Sequence, residues 1–233
     1  MAENTFMKTE AIRDHFRAQV PEYGYLMKRL IPFYDEQRDI IVRLIPFGRH
    51  QAFRALDLGC GTGLLAARIL SEYQHAELVA FDLTSEMLDA CRSRLADMNR
   101  VRYTLGDFRT DNLGNDYDVI VASLSLHHLK REERPRFYQR ANESLHFGGV
   151  LIASEAIIDE SPVVRERQYE LWRKHMAGNG EDATRWYRKH LEKDHPVPIS
   201  SLLAMLAGAG FEAAACFWRY LNFAIITARK PAV

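Results

Sequence analysis

The stretch ALDLGCGTGLL, residues 55–65, decides how the rest of the chain is read. Ala55 to Leu58 form a short apolar run, Gly59, Gly61 and Gly63 follow at alternate positions, and leucines and alanines come next. Strand, tight turn and helix are predicted in that order, the setting a nucleotide-binding turn requires. A side chain at these glycines would block close approach to the backbone or forbid the turn. The helix beyond offers free N–H groups and the positive end of its dipole. The GxGxG spacing is one residue shorter than the dinucleotide fingerprint GxGxxG, so the turn alone does not choose its ligand.

Working outward, short apolar runs alternate with amphipathic stretches. The runs are ALDL (55–58), LVAFD (78–82), VRYTL (101–105), YDVIVAS (117–123) and GVLIAS (149–154), with helices predicted near 64–73, 85–98 and 132–146. Thr84 or Ser85 can cap the second helix. This alternation implies βαβ units, hence a parallel sheet covered on both faces, with ligand-binding loops along the edge where strands end. Residues 156–198 break the pattern and are predicted as a helical insertion. The chain then closes with helix, strand, tight turn and strand, so the last strand is predicted antiparallel. The first 50 residues read as helices with apolar stripes at Ile12 and Phe16, Leu26 and Leu30, and Ile40, Ile41, Leu44 and Ile45, punctuated by Pro21, Pro32 and Pro46.

Composition narrows the function classes. The 233 residues carry no formal net charge, which disfavours a broad grip on nucleic acid or an anionic membrane. The basic run RWYRKH (185–190) is diluted by Glu181, Asp182, Glu192 and Asp194. Cys60, Cys91 and Cys216 are odd in number and far apart, which points to a reducing compartment and to no disulfide framework or zinc site. The first residues lack the apolar core of a signal peptide, and AAACFWRYLNFAIIT is broken by Arg219 and Asn222, so no membrane span is expected. A cytoplasmic protein acting on a small molecule is expected, with no nucleic-acid or membrane partner. The N-terminal helices and the insertion offer surfaces for a homodimer.

Four strand ends carry the chemistry. Asp82, closing LVAFD, can accept from both hydroxyls of a ribose, and it suits a nicotinamide dinucleotide and S-adenosylmethionine equally. Asp107 in LGDF can take the exocyclic amine of adenine, with Phe108 against the ring. Ser123 should line the floor between cofactor and acceptor. His127 and His128 follow in SLSLHHL as candidate general bases. As metal ligands they are weak, because adjacent side chains diverge and no third ligand is indicated, so no metal is expected.

Together LDLGCGTG, FDLTSEML, GDF, YDVIVASLSLHHL, GGVLIASE and the closing AGF…FAIITARK resemble the class I S-adenosylmethionine-dependent methyltransferases, over residues from about 50 to 229. The resemblance implies a Rossmann-like α/β fold, a seven-stranded mostly parallel sheet with an antiparallel last strand and helices on both faces. It divides the chain into an N-terminal helical cap (1–50) and a cofactor-binding domain (51–233), the cap and the 156–198 insertion forming a lid. S-adenosylmethionine is the implied cofactor and S-adenosylhomocysteine its product. The glycine turn, with Asp57 before it, would hold the methionyl part, Asp82 the ribose, Leu83 one face of the adenine, and Asp107 with Phe108 its edge. Tyr25, Trp172, Trp186, Tyr187 and Arg188 are the candidate acceptor contacts. The Asn-Pro-Pro-aromatic tetrapeptide of base-modifying members is absent after the fourth strand.

IPFYDEQRDIIVRLI, LIASEAIIDES and WRYLNFAIITARK are similar to the subgroup of carboxy-S-adenosylmethionine synthases and their small-molecule methyltransferase relatives. That likeness puts a cofactor-contacting tyrosine at Tyr34, and near Arg188 an arginine that would bind the carboxylate of carboxy-S-adenosylmethionine. GCGTG is richer in glycine than the synthases' turn, and Ser123 stands where they carry asparagine. Methyl transfer to a small molecule is therefore the expected activity, with the synthase reaction or a non-catalytic cofactor-binding module as alternatives.

Overall fold

A computed structural model describes residues 22–232, so the stripe expected at Ile12 and Phe16 lies outside the described residues, as does Pro21. Two helices open the described chain, α1 (Tyr23–Leu30) and α2 (Tyr34–Arg43). Then come β1 (Phe53–Leu58), α3 (Leu64–Glu72), β2 (Ala76–Asp82), α4 (Ser85–Arg94), β3 (Val101–Leu105) and β4 (Tyr117–Ser123). A single tight helical turn (Leu126–His128) leads to α5 (Arg134–Ser144) and β5 (Leu145–Ala156). The insertion holds α6 (Pro162–Gly178) and α7 (Ala183–Lys193), and the chain closes with α8 (Ile199–Gly208), β6 (Glu212–Tyr220) and β7 (Phe223–Arg229).

The seven strands form one sheet in the order β3-β2-β1-β4-β5-β7-β6. β7 lies antiparallel between β5 and β6, as the short connection in sequence requires. The central strands are uninterrupted apolar runs because both faces are covered. On one face Leu56, Ile120 and Ala122 pack with Phe137 of α5 and Leu206 of α8. On the other Ala55, Val119 and Val121 pack with Ile41 of α2, Ile69 of α3 and Leu88 of α4. Each fully buried leucine or isoleucine here contributes roughly 2 kcal/mol over an exposed one.

α2 is tied to the sheet by polar bonds as well. Ser154 on β5 donates from its hydroxyl to Gln37 Oε1 at 2.5 Å, and Gln37 Nε2 donates to the carbonyl of Pro32 at 2.9 Å. The insertion is pinned at its base, where Ile157 bridges Val197. A third apolar cluster joins Leu30 and Ile31 of the N-terminal segment to Tyr169, Trp172 and Met176 of α6 and to Phe223 of β7. The N-terminal helices and the insertion therefore pack on each other, above the strand ends that carry the site. No helix among the described residues is long and apolar enough to cross a membrane.

Candidate active site

The strand order reverses between β1 and β4, and the crevice there is where an open α/β sheet binds its ligand. The two strand ends are stitched together, since Ser125 Oγ donates to the carbonyl of Leu58 at 2.6 Å. That approach explains Gly59. At φ 69° a Cβ on Gly59 would lie 2.5 Å from the Ser125 Cβ. Gly63 is explained in the same way, because its Cβ would lie 2.6 Å from Cys91 Sγ on α4. Both glycines answer to packing within the protein. Of the three, Gly61 alone faces open space, its Cβ position lying 3.9 Å from the nearest neighbour, Tyr23.

Beside Gly61 lies a chamber open to solvent. Gly59, Gly61, Asp82, Leu83, Asp107, Phe108 and Ser123 all line it, as the sequence leads one to expect. Asp82 accepts from Gly61 N at 2.9 Å and from the backbone and hydroxyl of Thr84 at 3.0 and 3.1 Å. Burial raises its pKa, and these bonds oppose the rise. Asp107 is differently placed from its expected role. Arg109 clamps its carboxylate through Nε and Nη2 at 2.5–3.0 Å, so an adenine amine would share that acceptor with a guanidinium.

A smaller cavity continues from Gly61 past Tyr34, Arg38 and Asp57. Asp57 is buried with neither oxygen hydrogen-bonded. Its pKa is pushed up to about 7, first by burial and then by the neighbouring charge of Asp82. Arg38 is buried too, its guanidinium carbon 3.8 Å from the Tyr34 ring centroid, with Nε and Nη1 lacking partners. Arg38 Nη2 is paired with Asp35, which leaves Nε and Nη1 beside the unpartnered Asp57 carboxylate in one cavity; together they suit an amino-acid zwitterion, the ammonium at Asp57 and the carboxylate at Arg38. The methionyl end of S-adenosylmethionine is such a group, so the residues present fit it. Arg38 was not singled out in the sequence, where it reads as one more charge on an amphipathic helix.

The second chamber, about 910 Å³, lies under α1 and the insertion. Trp172 and Trp186 line it, with Leu30, Ile31 and Phe223. Other acceptor contacts expected from sequence are placed elsewhere. Tyr25 is 73% exposed and lines neither chamber. Tyr23, two positions earlier and so on the other side of α1, lines both. Arg188 is exposed on α7 and absent from the lining, while Lys189, one residue on, is part of it. Tyr187 packs behind the wall, its ring 5.2 Å from that of Tyr169 and beneath Arg173.

Tyr23, Leu124 and His128 line both chambers and so form the partition between them. Leu124 holds a left-handed backbone at φ 56°, a conformation that costs a leucine roughly 1 kcal/mol or more and clusters at functional sites. His128 Nδ1 lies 3.1 Å from Asp194 Oδ1, and Asp194 Oδ2 lies 2.7 Å from His190 Nδ1. Burial would raise the Asp194 pKa, but the imidazoles of His127, His128 and His190 hold it well below the carboxylate range. His127 is buried, its Nδ1 has no partner, and burial pushes its pKa down to about 3. The strand ends brace this cluster. His195 N donates to the His127 carbonyl at 2.7 Å, and the fully buried Arg134, 3.6 Å from Glu155, reaches the His195 carbonyl at 3.4 Å. Asp194 is also the third donor that the sequence did not indicate beside the two histidines. His127, His128 and Asp194 present ligand atoms within 4.8 Å of one another, a set that could hold a cation.

A family model described as a methyltransferase domain matches residues 55–149. The chain is 26% identical to the carboxy-S-adenosyl-L-methionine synthase of Campylobacter lari, over 99% of this chain and 100% of that protein. Its fold is similar to that of PigF solved with S-adenosylhomocysteine, with a TM-score of 0.68, 22% identity, and coverage of 95% of this chain and 62% of that one. Human N-acetylserotonin methyltransferase in complex with S-adenosylmethionine is similar at a TM-score of 0.59 and 18% identity, over 91% of this chain and 58% of that one.

Proposed function

We propose that this chain, a class I S-adenosylmethionine-dependent methyltransferase, methylates a small molecule held in the aromatic chamber, with His128 taking the proton the acceptor gives up. The observation that carries this reading is the position of His128 on the partition between the chambers, with Nδ1 3.1 Å from the buried Asp194. A carboxylate there favours the tautomer that bears its proton on Nδ1, in which Nε2 is the accepting nitrogen. S-adenosylmethionine, when bound, supplies a sulfonium methyl that passes to the attacking atom as its S–C bond breaks, leaving S-adenosylhomocysteine.

The protein's own contributions are holding, orienting and drying. Arg38 and Asp57 hold the amino-acid end, and Asp82 with Leu83 the nucleoside. Tyr23 and Leu124 set the line of approach between chambers, and alignment of this kind is worth on the order of 7 kcal/mol or more. Trp172, Trp186 and Phe223 exclude water around the acceptor. The test is to compare His128→Gln and Asp194→Asn with the unaltered protein for both methyl transfer and S-adenosylhomocysteine binding. Binding retained with transfer lost supports the role; transfer at the unaltered rate in His128→Gln would remove it.

A second reading is favoured by the names and full-length coverage of the relatives, namely synthesis of carboxy-S-adenosylmethionine. The exposure of Arg188 weighs against it, because that residue was the expected contact for the extra carboxylate. Mass spectrometry after incubation with S-adenosylmethionine and prephenate separates the two. A carboxylated cofactor supports the synthase, and its absence with fresh protein counts against it.

A further inference from the structure

The acceptor chamber carries more chemistry than a methyl acceptor alone would need. Both of its indoles are stripped of their polar edge. Trp172 Nε1 donates to the carbonyl of Leu30 at 2.8 Å, and Trp186 Nε1 donates to Glu181 Oε2 at 2.9 Å. What they offer a ligand is flat carbon surface, which suits an aromatic ring.

Two cations stand in the same lining, Lys189 and Lys193, one turn apart on α7. Lys189 Nζ lies 4.4 Å from the Trp186 ring centroid. Neither ammonium has a carboxylate partner among the described residues. The one carboxylate in the lining, Asp194, is engaged by His128 and His190. Two cations against one carboxylate leave the chamber a single positive charge, which matches a monoanion rather than a phosphate dianion. Burial lowers the Lys189 pKa, with Arg185 and Lys193 adding to the effect, and an anion beside it would reverse that strain.

The third feature is the base. An imidazole can accept the proton of a phenol in hydrogen-bond reach but is too weak a base for an aliphatic hydroxyl. Resting on the proposed role of His128, we propose that the acceptor is a hydroxylated aromatic carboxylic acid: its ring lies between the indole faces, its carboxylate meets Lys189 and Lys193, and its phenolic hydroxyl faces His128. The hydroxyl oxygen takes the methyl, its proton goes to Nε2, and the cofactor leaves as a neutral thioether. A carboxylate on the cofactor's transferable group would meet the same lysines, so the two sources must be told apart.

The experiment is a tryptophan-fluorescence titration of the whole protein loaded with S-adenosylhomocysteine. The probes are para-hydroxybenzoate, para-hydroxyphenylacetate and para-hydroxycinnamate, each beside its neutral amide. We expect at least one acid to bind about tenfold or more tighter than its amide, the loss of a charge-assisted contact being of that order. In the Lys189→Gln, Lys193→Gln double variant that preference should vanish while S-adenosylhomocysteine still binds. Amides that bind as well as the acids, a preference that survives in the double variant, or failure of every acid to bind would overturn the proposal. A parallel titration without acceptor compares carboxy-S-adenosylmethionine with S-adenosylmethionine. A lysine-dependent preference for the carboxylated cofactor, with none for the acids, assigns the anion to the cofactor and also overturns it. His128→Gln separates this from the role of the base. If it keeps the acid preference and still methylates, the base is wrong and the lysine contact stands. If it is inactive while the unaltered protein shows no acid preference, the lysine contact is wrong and the base stands.

Discussion

The two chambers that meet at His128 are built in opposite ways. The cofactor chamber is assembled from the ends of neighbouring strands, each placed by backbone pairing in a buried sheet. The second chamber is walled largely by α1 and the 156–198 insertion, segments joined by side-chain packing and by bonds such as Trp172 Nε1 to the Leu30 carbonyl rather than by strand pairing. In the first, the residue at a given strand end is fixed by the register, so a change acts on one named contact. In the second, one step along a helix turns a side chain by about 100° and moves it from lining to solvent. The neighbours Arg188 and Lys189 show that difference directly.

The sharpest break of this comparison is at the partition. His128→Gln should lower methyl transfer about 10²- to 10⁴-fold while leaving S-adenosylhomocysteine affinity unchanged, as measured by single-turnover kinetics and calorimetry. If dialysis against a chelator abolishes transfer and zinc restores it, the His127–His128–Asp194 group acts through a metal and the base assignment falls. The glycine turn gives the next effect. Gly59→Ala combines a left-handed backbone with a 2.5 Å clash against Ser125, and should cost about 3 kcal/mol or more in denaturant unfolding. Gly61→Ala meets no neighbour closer than 3.9 Å, so it should cost only about 1 kcal/mol and lose cofactor affinity instead. Equal stability losses in the two would contradict the separate roles given to them.

A smaller effect belongs to Asp57. Its pKa is raised to about 7 in the folded protein without ligand, so ionising it there costs free energy that the unfolded chain does not incur. Stability of the cofactor-free protein should therefore fall as pH rises from about 4 to 7 and level off above, and Asp57→Asn should flatten that slope. An ammonium beside Asp57 favours the ionised form, so cofactor binding below pH 7 should release a proton. Calorimetry in buffers of different ionisation enthalpy reads that proton directly.

The same contrast explains what could be read from the sequence. β3 and β4 coincide with their apolar runs, and Asp82, Asp107 and Ser123 sit on the chamber wall, because a strand end in a parallel sheet has one place to go. β5 is longer than its run 149–154 at both ends, where Leu145 pairs with Tyr117 before a register shift and Glu155 and Ala156 pair with Ala224 and Phe223. Gly59 and Gly63 looked like ligand glycines, yet Ser125 and Cys91, 66 and 28 residues further on, are what crowd them. Arg38 and Asp194 were illegible for a related reason. Their meaning comes from Asp57 and His128, partners that only the tertiary structure brings near. Tyr23, three and seven residues before Leu26 and Leu30, shares their apolar face of α1, whereas Tyr25 does not.

The central proposal is that Arg38 and Asp57 form a clamp for the amino-acid end of the cofactor, which identifies the ligand of the first chamber. The most direct test is calorimetric comparison of S-adenosylhomocysteine with methylthioadenosine, which lacks that end, in the unaltered protein, Arg38→Ala and Asp57→Asn. We expect S-adenosylhomocysteine to bind about 100-fold tighter or more, two charge-assisted contacts being at stake, and each variant to lose roughly tenfold of that preference while binding methylthioadenosine unchanged. Equal affinity for the two compounds, or an undiminished preference in both variants, would contradict the clamp.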